Sequence, residues 1–115
     1  MAILLTGGAG YIGSHTCVEL LNSGEDVVVL DNFCNSTPEV VARVESITGK
    51  RVATIIGDVR DPALLRDVFV QHSIEAVIHF AGLKAVGESA LKPLLYYQNN
   101  VVGTINLLHA MASPF

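Results

Sequence analysis

The sequence predicts an α/β fold, a parallel sheet of four strands with helices on both faces, and three observations carry that reading. Short apolar runs alternate four times with amphipathic stretches, the pattern that right-handed crossovers turn into a parallel sheet. Half of the 115 residues are hydrophobic and only 16% are charged, against roughly 25% in ordinary soluble domains, as strands covered on both faces require. Between the first run and the first amphipathic stretch stands Thr6-Gly-Gly-Ala-Gly-Tyr-Ile-Gly13. In a doubly wound, Rossmann-like sheet the strands lie 3-2-1-4, and a dinucleotide crosses the crevice between strands 1 and 4.

The first strand is Ala2-Ile3-Leu4-Leu5. In the turn after it, Gly7, Gly10 and Gly13 read as G-x-x-G-x-x-G, while Gly8, Gly10 and Gly13 also satisfy G-x-G-x-x-G. Either variant points at a phosphate: glycine permits positive φ and close approach of a diphosphate, and the amides opening the next helix carry partial positive charge. A helix over Tyr11 to Ser23 presents Ile12, Cys17, Leu20 and Leu21 on its apolar side and stops at Ser23-Gly24. The loop of triphosphate hydrolases, G-x-x-x-x-G-K-[ST], matches at Gly8 and Gly13 but continues Ser14-His15, without the lysine.

Asp26 to Leu30 reads as a buried second strand, closing a βαβ unit of about 30 residues, the size of the dinucleotide motif. Asp31 ends it, close to the ~20-residue spacing at which an acid accepts hydrogen bonds from the adenosine ribose. Its carboxylate would repel a 2′-phosphate, and no arginine lies between 31 and 42 to offset that; NAD is therefore preferred over NADP. Asn32-Phe33-Cys34-Asn35-Ser36 is the loop beside the adenosine. Ser36-Thr37-Pro38-Glu39 starts a second helix that runs to about Thr48 and closes on Gly49.

Arg51 to Ile56 is the third strand, followed by Gly57-Asp58-Val59. Asp58 follows a strand end, where it could accept from an adenine amino group or equally serve as a turn aspartate. Asp61-Pro62 caps a third helix through about His72, with Leu65, Val68 and Phe69 on the buried side. The fourth strand, Glu75 to Phe80, enters the loop Ala81 to Ser89, whose two glycines suit passage beside a ligand. From Lys92-Pro93 a long final helix carries Leu94, Tyr97, Val101, Ile105 and Leu108 at steps of three and four. Asn99, Asn100, Gly103 and Asn106 are poor helix formers there, so something other than propensity placed them; Asn99 facing a ligand would explain one.

Bulk properties exclude several classes. Seven basic against 11 acidic residues give a net charge of −4, and scattered basic residues argue against nucleic acid as a partner. No apolar run approaches the ~18 residues of a membrane helix, and the first basic residue is Arg43, so a secretory start is missing and a cytoplasmic location is expected. Cys17 and Cys34 fit no C-x-x-C spacing and are read as reduced thiols. His15, His72, His79 and His109 lack ligand spacing, and no metal is expected.

Four motifs together, Thr6 to His15, Asp31 to Ser36, Gly57-Asp58-Val59 and above all His79-Phe-Ala-Gly-Leu-Lys-Ala-Val-Gly-Glu-Ser89, resemble the N-terminal part of the UDP-glucose 4-epimerase family, extended short-chain dehydrogenases/reductases. The resemblance covers the chain to about residue 111. It implies diphosphate contacts at Tyr11 and Ile12 beside Gly7, Gly10 and Gly13, and adenosine contacts from Asp31, Asn32, Phe33, Cys34, Asn35 and Ser36. Asp58 and Val59 are implied at the adenine, and Phe80, Ala81, Gly82, Leu83, Lys84 and Asn99 complete the NAD set. Lys84 is implied near the nicotinamide ribose, with Lys84 and Val86 bordering the UDP-sugar site. In that family NAD removes hydride from C4 of the sugar and returns it to the opposite face after the keto-sugar rotates.

The family's base belongs to a Tyr-x-x-x-Lys motif, and none occurs here: Tyr11 is followed at +4 by His15, Tyr96 by Asn100 and Tyr97 by Val101. Without a phenol activated by a lysine, the chain alone is expected to be inactive. The ending Met111 to Phe115 departs from the family's pattern and suggests a truncated or frameshifted product. An exposed edge at strand 75 to 80 and an uncovered last helix then imply self-association or a homodimer. Two alternatives stay open: a noncatalytic NAD-binding or partner-recruiting module, and a piece of a related nucleotide-sugar dehydratase or decarboxylase.

Overall fold

A computed structural model describes residues 1–83 and 86–112. Its parallel strands β1 (Ala2–Thr6), β2 (Asp26–Asp31), β3 (Ala53–Ile56) and β4 (Ile74–His79) lie in the order β3-β2-β1-β4, as the alternation of elements predicts. Between them run α1 (Tyr11–Asn22), α2 (Glu39–Thr48) and α3 (Pro62–Gln71). After β4 come α4 (Val86–Leu91), α5 (Pro93–Tyr96), a π-helical segment (Tyr97–Val102) and α6 (Gly103–Ala112).

The two-residue period of the strands divides the core. Leu4, Val28 and Leu30 point to one face, where Leu65, Val68 and Phe69 of α3 meet Leu107 and Ala110 of α6. Leu5, Val27 and Val29 point to the other, against Cys17 and Leu21 of α1 and Val41 and Val44 of α2. Register pairs Leu4 with Val28 and Val77, and Leu5 with Val29 and Ile78. Each fully buried aliphatic side chain of this kind contributes about 1.5–3 kcal/mol, so a one-residue slip would invert both layers at once.

Local chemistry sets most element ends. Asp61 caps α3 by accepting from the Leu64 amide at 3.2 Å, with Pro62 in the first turn. Gly24 and Gly49 follow α1 and α2 with φ of +88° and +69°. The third strand starts at Ala53 rather than at Arg51, because the Val52 amide donates to Glu45 Oε2 at 2.9 Å and ties that segment to α2 instead of the ladder. In α1 the buried positions are Gly13, Cys17 and Leu21, whereas Ile12 is exposed and Leu20 half-buried.

The last helix departs most from the expectation. It is broken into α5, the π segment and α6, and the stripe Leu94, Tyr97, Val101, Ile105 and Leu108 is exposed along its whole length. The side facing the sheet is Asn99, Gly103, Leu107 and Ala110. Close approach explains the inversion: a Cβ on Gly103 would lie 2.6 Å from Val59 Cγ2, and Asn106 Nδ2 donates to Val59 O at 3.2 Å. The helix is thus held by small and hydrogen-bonding residues where an apolar count favours the opposite side.

Candidate cofactor site

A cleft of about 290 Å³ runs across the C-terminal ends of the strands, where parallel sheets bind ligands. Of the expected cofactor contacts, Gly7, Gly10, Tyr11, Ile12, Gly13, Asp31, Asn32, Cys34, Asn35, Ser36, Asp58, Val59, Phe80, Ala81, Gly82, Leu83 and Asn99 all line it. Phe33 does not: at φ +57° its side chain packs against the α1–α2 core layer. Lys84 lies outside the described residues, as does the side chain of Val86. Leu30 and Gly57 also line the cleft; their place at strand ends is the signal that could have found them.

The glycine turn forms the floor. Gly7 takes φ +68°, and a Cβ there would stand 2.7 Å from the Phe80 carbonyl carbon; one on Gly13 would stand 2.3 Å from Gly7 O. Gly7, Gly10 and Gly13 of the G-x-x-G-x-x-G variant line the cleft, whereas Gly8 packs under the turn, where a Cβ would stand 2.9 Å from Val29. No side chain caps α1, and the Ser14 amide donates to Gly10 O at 2.8 Å, so the preceding first-turn amides, those of cleft-lining Tyr11, Ile12 and Gly13, have no intrahelical acceptor.

Asp31 braces this floor from β2. Its Oδ2 accepts from the Ala9 amide at 3.0 Å and its Oδ1 from the Phe33 amide at 2.8 Å. Next to it, Asp58 accepts four bonds: Oδ1 from Arg60 N (2.9 Å) and Nε (3.0 Å), Oδ2 from Arg60 Nη2 (2.7 Å) and Asn32 Nδ2 (3.0 Å). The hydrogen-bonded Arg60 guanidinium holds the Asp58 carboxyl down at about 2. A carboxylate offers about four lone-pair sites, so an adenine amino group would have to displace one of these donors.

Among the described residues, the polar groups on the β4 side of the cleft are uncharged. Thr6, fully buried, and His79 Nδ1 hydrogen-bond; His79 Nε2 reaches Thr104 Oγ1 at 3.2 Å, and Thr104 Oγ1 donates to Asn100 O at 2.6 Å. With the Thr104 proton committed to Asn100 O, His79 donates from Nε2 and accepts at Nδ1. Burial lowers the His79 pKa and favours this uncharged form. Sequence reasoning did not find this network; its signal was the cluster of poor helix formers from Asn99 to Asn106.

Cys17 is buried and free, its thiol pushed up to about 11 by desolvation, and Cys34 is free and exposed. Among the described residues no cluster could hold a metal ion, and no helix is long and apolar enough to cross a membrane.

A family model described as GDP-mannose 4,6 dehydratase matches residues 4–114. The UDP-glucose 4-epimerase of Pasteurella multocida is 62% identical over 111 residues, 96% of this chain and 33% of its own length. That of Klebsiella pneumoniae is 57% identical, with 96% of this chain matching 80% of the relative. Among solved structures, UDP-glucose 4-epimerase from Bifidobacterium longum in complex with NAD+ and UDP superposes with a TM-score of 0.94 at 56% identity, covering 96% of this chain and 33% of that one. The chain spans about a third of the length of most curated relatives it matches. With residues 4–114 matched by the family model and 80% of a 57% identical relative covered, the chain belongs to the family this model describes, and within it to the UDP-glucose 4-epimerases.

Proposed function

We propose that the chain is the NAD-binding part of a UDP-glucose 4-epimerase, which as a whole enzyme interconverts UDP-galactose and UDP-glucose through a 4-keto sugar. The observation that carries this reading is one cleft joining the glycine floor, the Asp31 carboxylate and the Phe80 to Leu83 wall. The residues fit the cofactor: a Cβ at Gly7 or Gly13 would fill the cradle, the α1 amides suit a diphosphate, and Asp31 suits a ribose diol.

When bound, NAD supplies the hydride acceptor and donor. This chain's own residues bind and orient it: Gly7, Gly10, Tyr11, Ile12 and Gly13 hold the diphosphate, and Asp31 to Ser36 the adenosine. Asp58 and Val59 flank the adenine, and Phe80 to Lys84 with Asn99 form the other half. Lys84 and Val86 border the UDP-sugar. No Tyr-x-x-x-Lys base is present, so the chain alone binds without turnover. The exposed stripe Leu94, Tyr97, Val101, Ile105 and Leu108 suits a second copy of the chain, giving a homodimer, and the two free cysteines suit the cytoplasm.

Calorimetric titration with NAD and NADP tests the reading. The expected result is binding of NAD at least about tenfold tighter than NADP, since like charges at Asp31 disfavour the 2′-phosphate. Equal affinities would overturn the Asp31 assignment, and failure of NAD to bind would overturn the cofactor reading.

A further inference from the structure

Asn99 and Asn100 stand side by side in the π segment, and their amides are not free to flip. The Leu83 amide donates to Asn100 Oδ1 at 2.8 Å, and Asn100 Nδ2 donates to Leu83 O at 2.8 Å. The backbone N–H of Leu83 can only donate and its C=O only accept, so this clasp admits one orientation of the Asn100 amide. Oδ1 so placed also accepts from Asn99 Nδ2 at 2.9 Å, and Asn99 Nδ2 gives a second hydrogen to Ala81 O at 2.8 Å. Both amide hydrogens of Asn99 are then committed. What this 5% exposed side chain has left for the cleft it lines is its carbonyl oxygen.

The register of the π segment is what brings both side chains to the same loop. Its backbone is anchored below through Asn100 O, Thr104 Oγ1, His79 and Thr6 at the end of β1. The clasp, the Asn99 orientation and the wall from Ala81 to Leu83 therefore form one unit, on the side of β1 opposite Asp31.

We propose that Asn100 is a positioning residue: by clasping Leu83 it turns the Asn99 carbonyl oxygen into the cleft, so that the β4 side selects a hydrogen-bond donor, such as a sugar hydroxyl, on the second nucleoside of a bound dinucleotide. This rests on the NAD reading above, which gives the Asp31 side to the adenosine.

The test is to titrate the full chain and its Asn100→Asp and Asn100→Ala variants with NAD and with ADP, which lacks the second nucleoside. Aspartate keeps an acceptor for the Leu83 amide but turns an oxygen toward Leu83 O; alanine removes both bonds. NAD affinity is expected to fall about tenfold or more in both, with ADP affinity unchanged. Amide exchange of Leu83 in the unsubstituted chain, expected to be protected, checks the clasp without any variant. Wild-type NAD affinity in both variants overturns the inference, as does an equal loss of ADP and NAD or an unprotected Leu83 amide. Failure of the unsubstituted chain to bind NAD overturns the cofactor reading instead, with Leu83 protection unaffected.

Discussion

On the β2–β3 side of the cleft the charged groups are carboxylates, Asp58 held by Arg60 and Asn32 and Asp31 by two backbone amides. On the β4 side, among the described residues, the polar groups are amides, hydroxyls and an uncharged imidazole, linked in series from Thr6 to Leu83. The first arrangement discriminates by charge and keeps its geometry through short loops. The second discriminates by the direction of each hydrogen bond, so an error at one member passes to the next. One ligand spanning both would thus be read by two different physical criteria.

The largest expected effect comes from breaking what the two sides share. Gly13→Ala would place a Cβ 2.3 Å from Gly7 O and is expected to cost about 2–3 kcal/mol of stability and to abolish ADP and NAD binding alike. Urea denaturation and calorimetry check both. A variant that loses only NAD would mean that the floor belongs to one side.

Asp31→Asn separates the criteria. It removes the charge and leaves a donor facing the Ala9 or Phe33 amide, a loss of about 1.5–3 kcal/mol. ADP and NAD are expected to weaken together by about 10–100-fold while the preference for NAD over NADP shrinks. An undiminished preference would remove charge as the criterion on this side.

Gly103→Ala probes the serial side with a smaller push. Its Cβ would meet the buried Val59 at 2.6 Å, shifting α6 at a cost of about 1 kcal/mol and lowering NAD affinity by several-fold. Pairing it with Val59→Ala should restore the stability, a coupling that a double-mutant cycle measures.

The smallest effects separate the sides by pH. Burial lowers the folded His79 pKa below its ordinary 6.5, so the unfolded chain takes up that proton first and stability declines as pH falls below about 6.5. The folded Asp58 pKa is depressed from 3.8 to about 2, so its contribution holds above the unfolded value and is lost as pH falls from about 4 through 2. Urea midpoints across pH should show the upper window flattened by His79→Gln and the lower by Asp58→Asn. A shared window for both variants would undo the distinction.

The charged side was legible in the sequence because its marks are local. Gly7, Gly10 and Gly13 sit between an apolar run and a helix, Asp31 closes the next strand, and Asp61-Pro62 spells a helix start; each is marked by its immediate neighbours in the sequence, although Asp31 accepts from Ala9, 22 residues away. The β4 side was legible only as an anomaly. Asn99, Asn100, Gly103 and Asn106 were visibly misplaced for a helix, but their partners Ala81, Leu83 and Val59 are distant in the chain. The π segment has no compositional mark distinguishing its hydrogen bonding from that of an α-helix. With apolar residues on both sides of α6, periodicity had no means of telling Leu107 and Ala110, which are buried, from Ile105 and Leu108, which are not.

The glycine loop is strung between the two sides. Ala9 hangs from Asp31 on β2, while Gly7 lies against the backbone where β4 ends, with no room for even a methyl group between them. It behaves as a taut span with one abutment on each bank. A shift of the chain at Phe80 presses directly on Gly7, so occupancy of the far half would be transmitted to the near half through the protein, without the two halves of the ligand having to communicate.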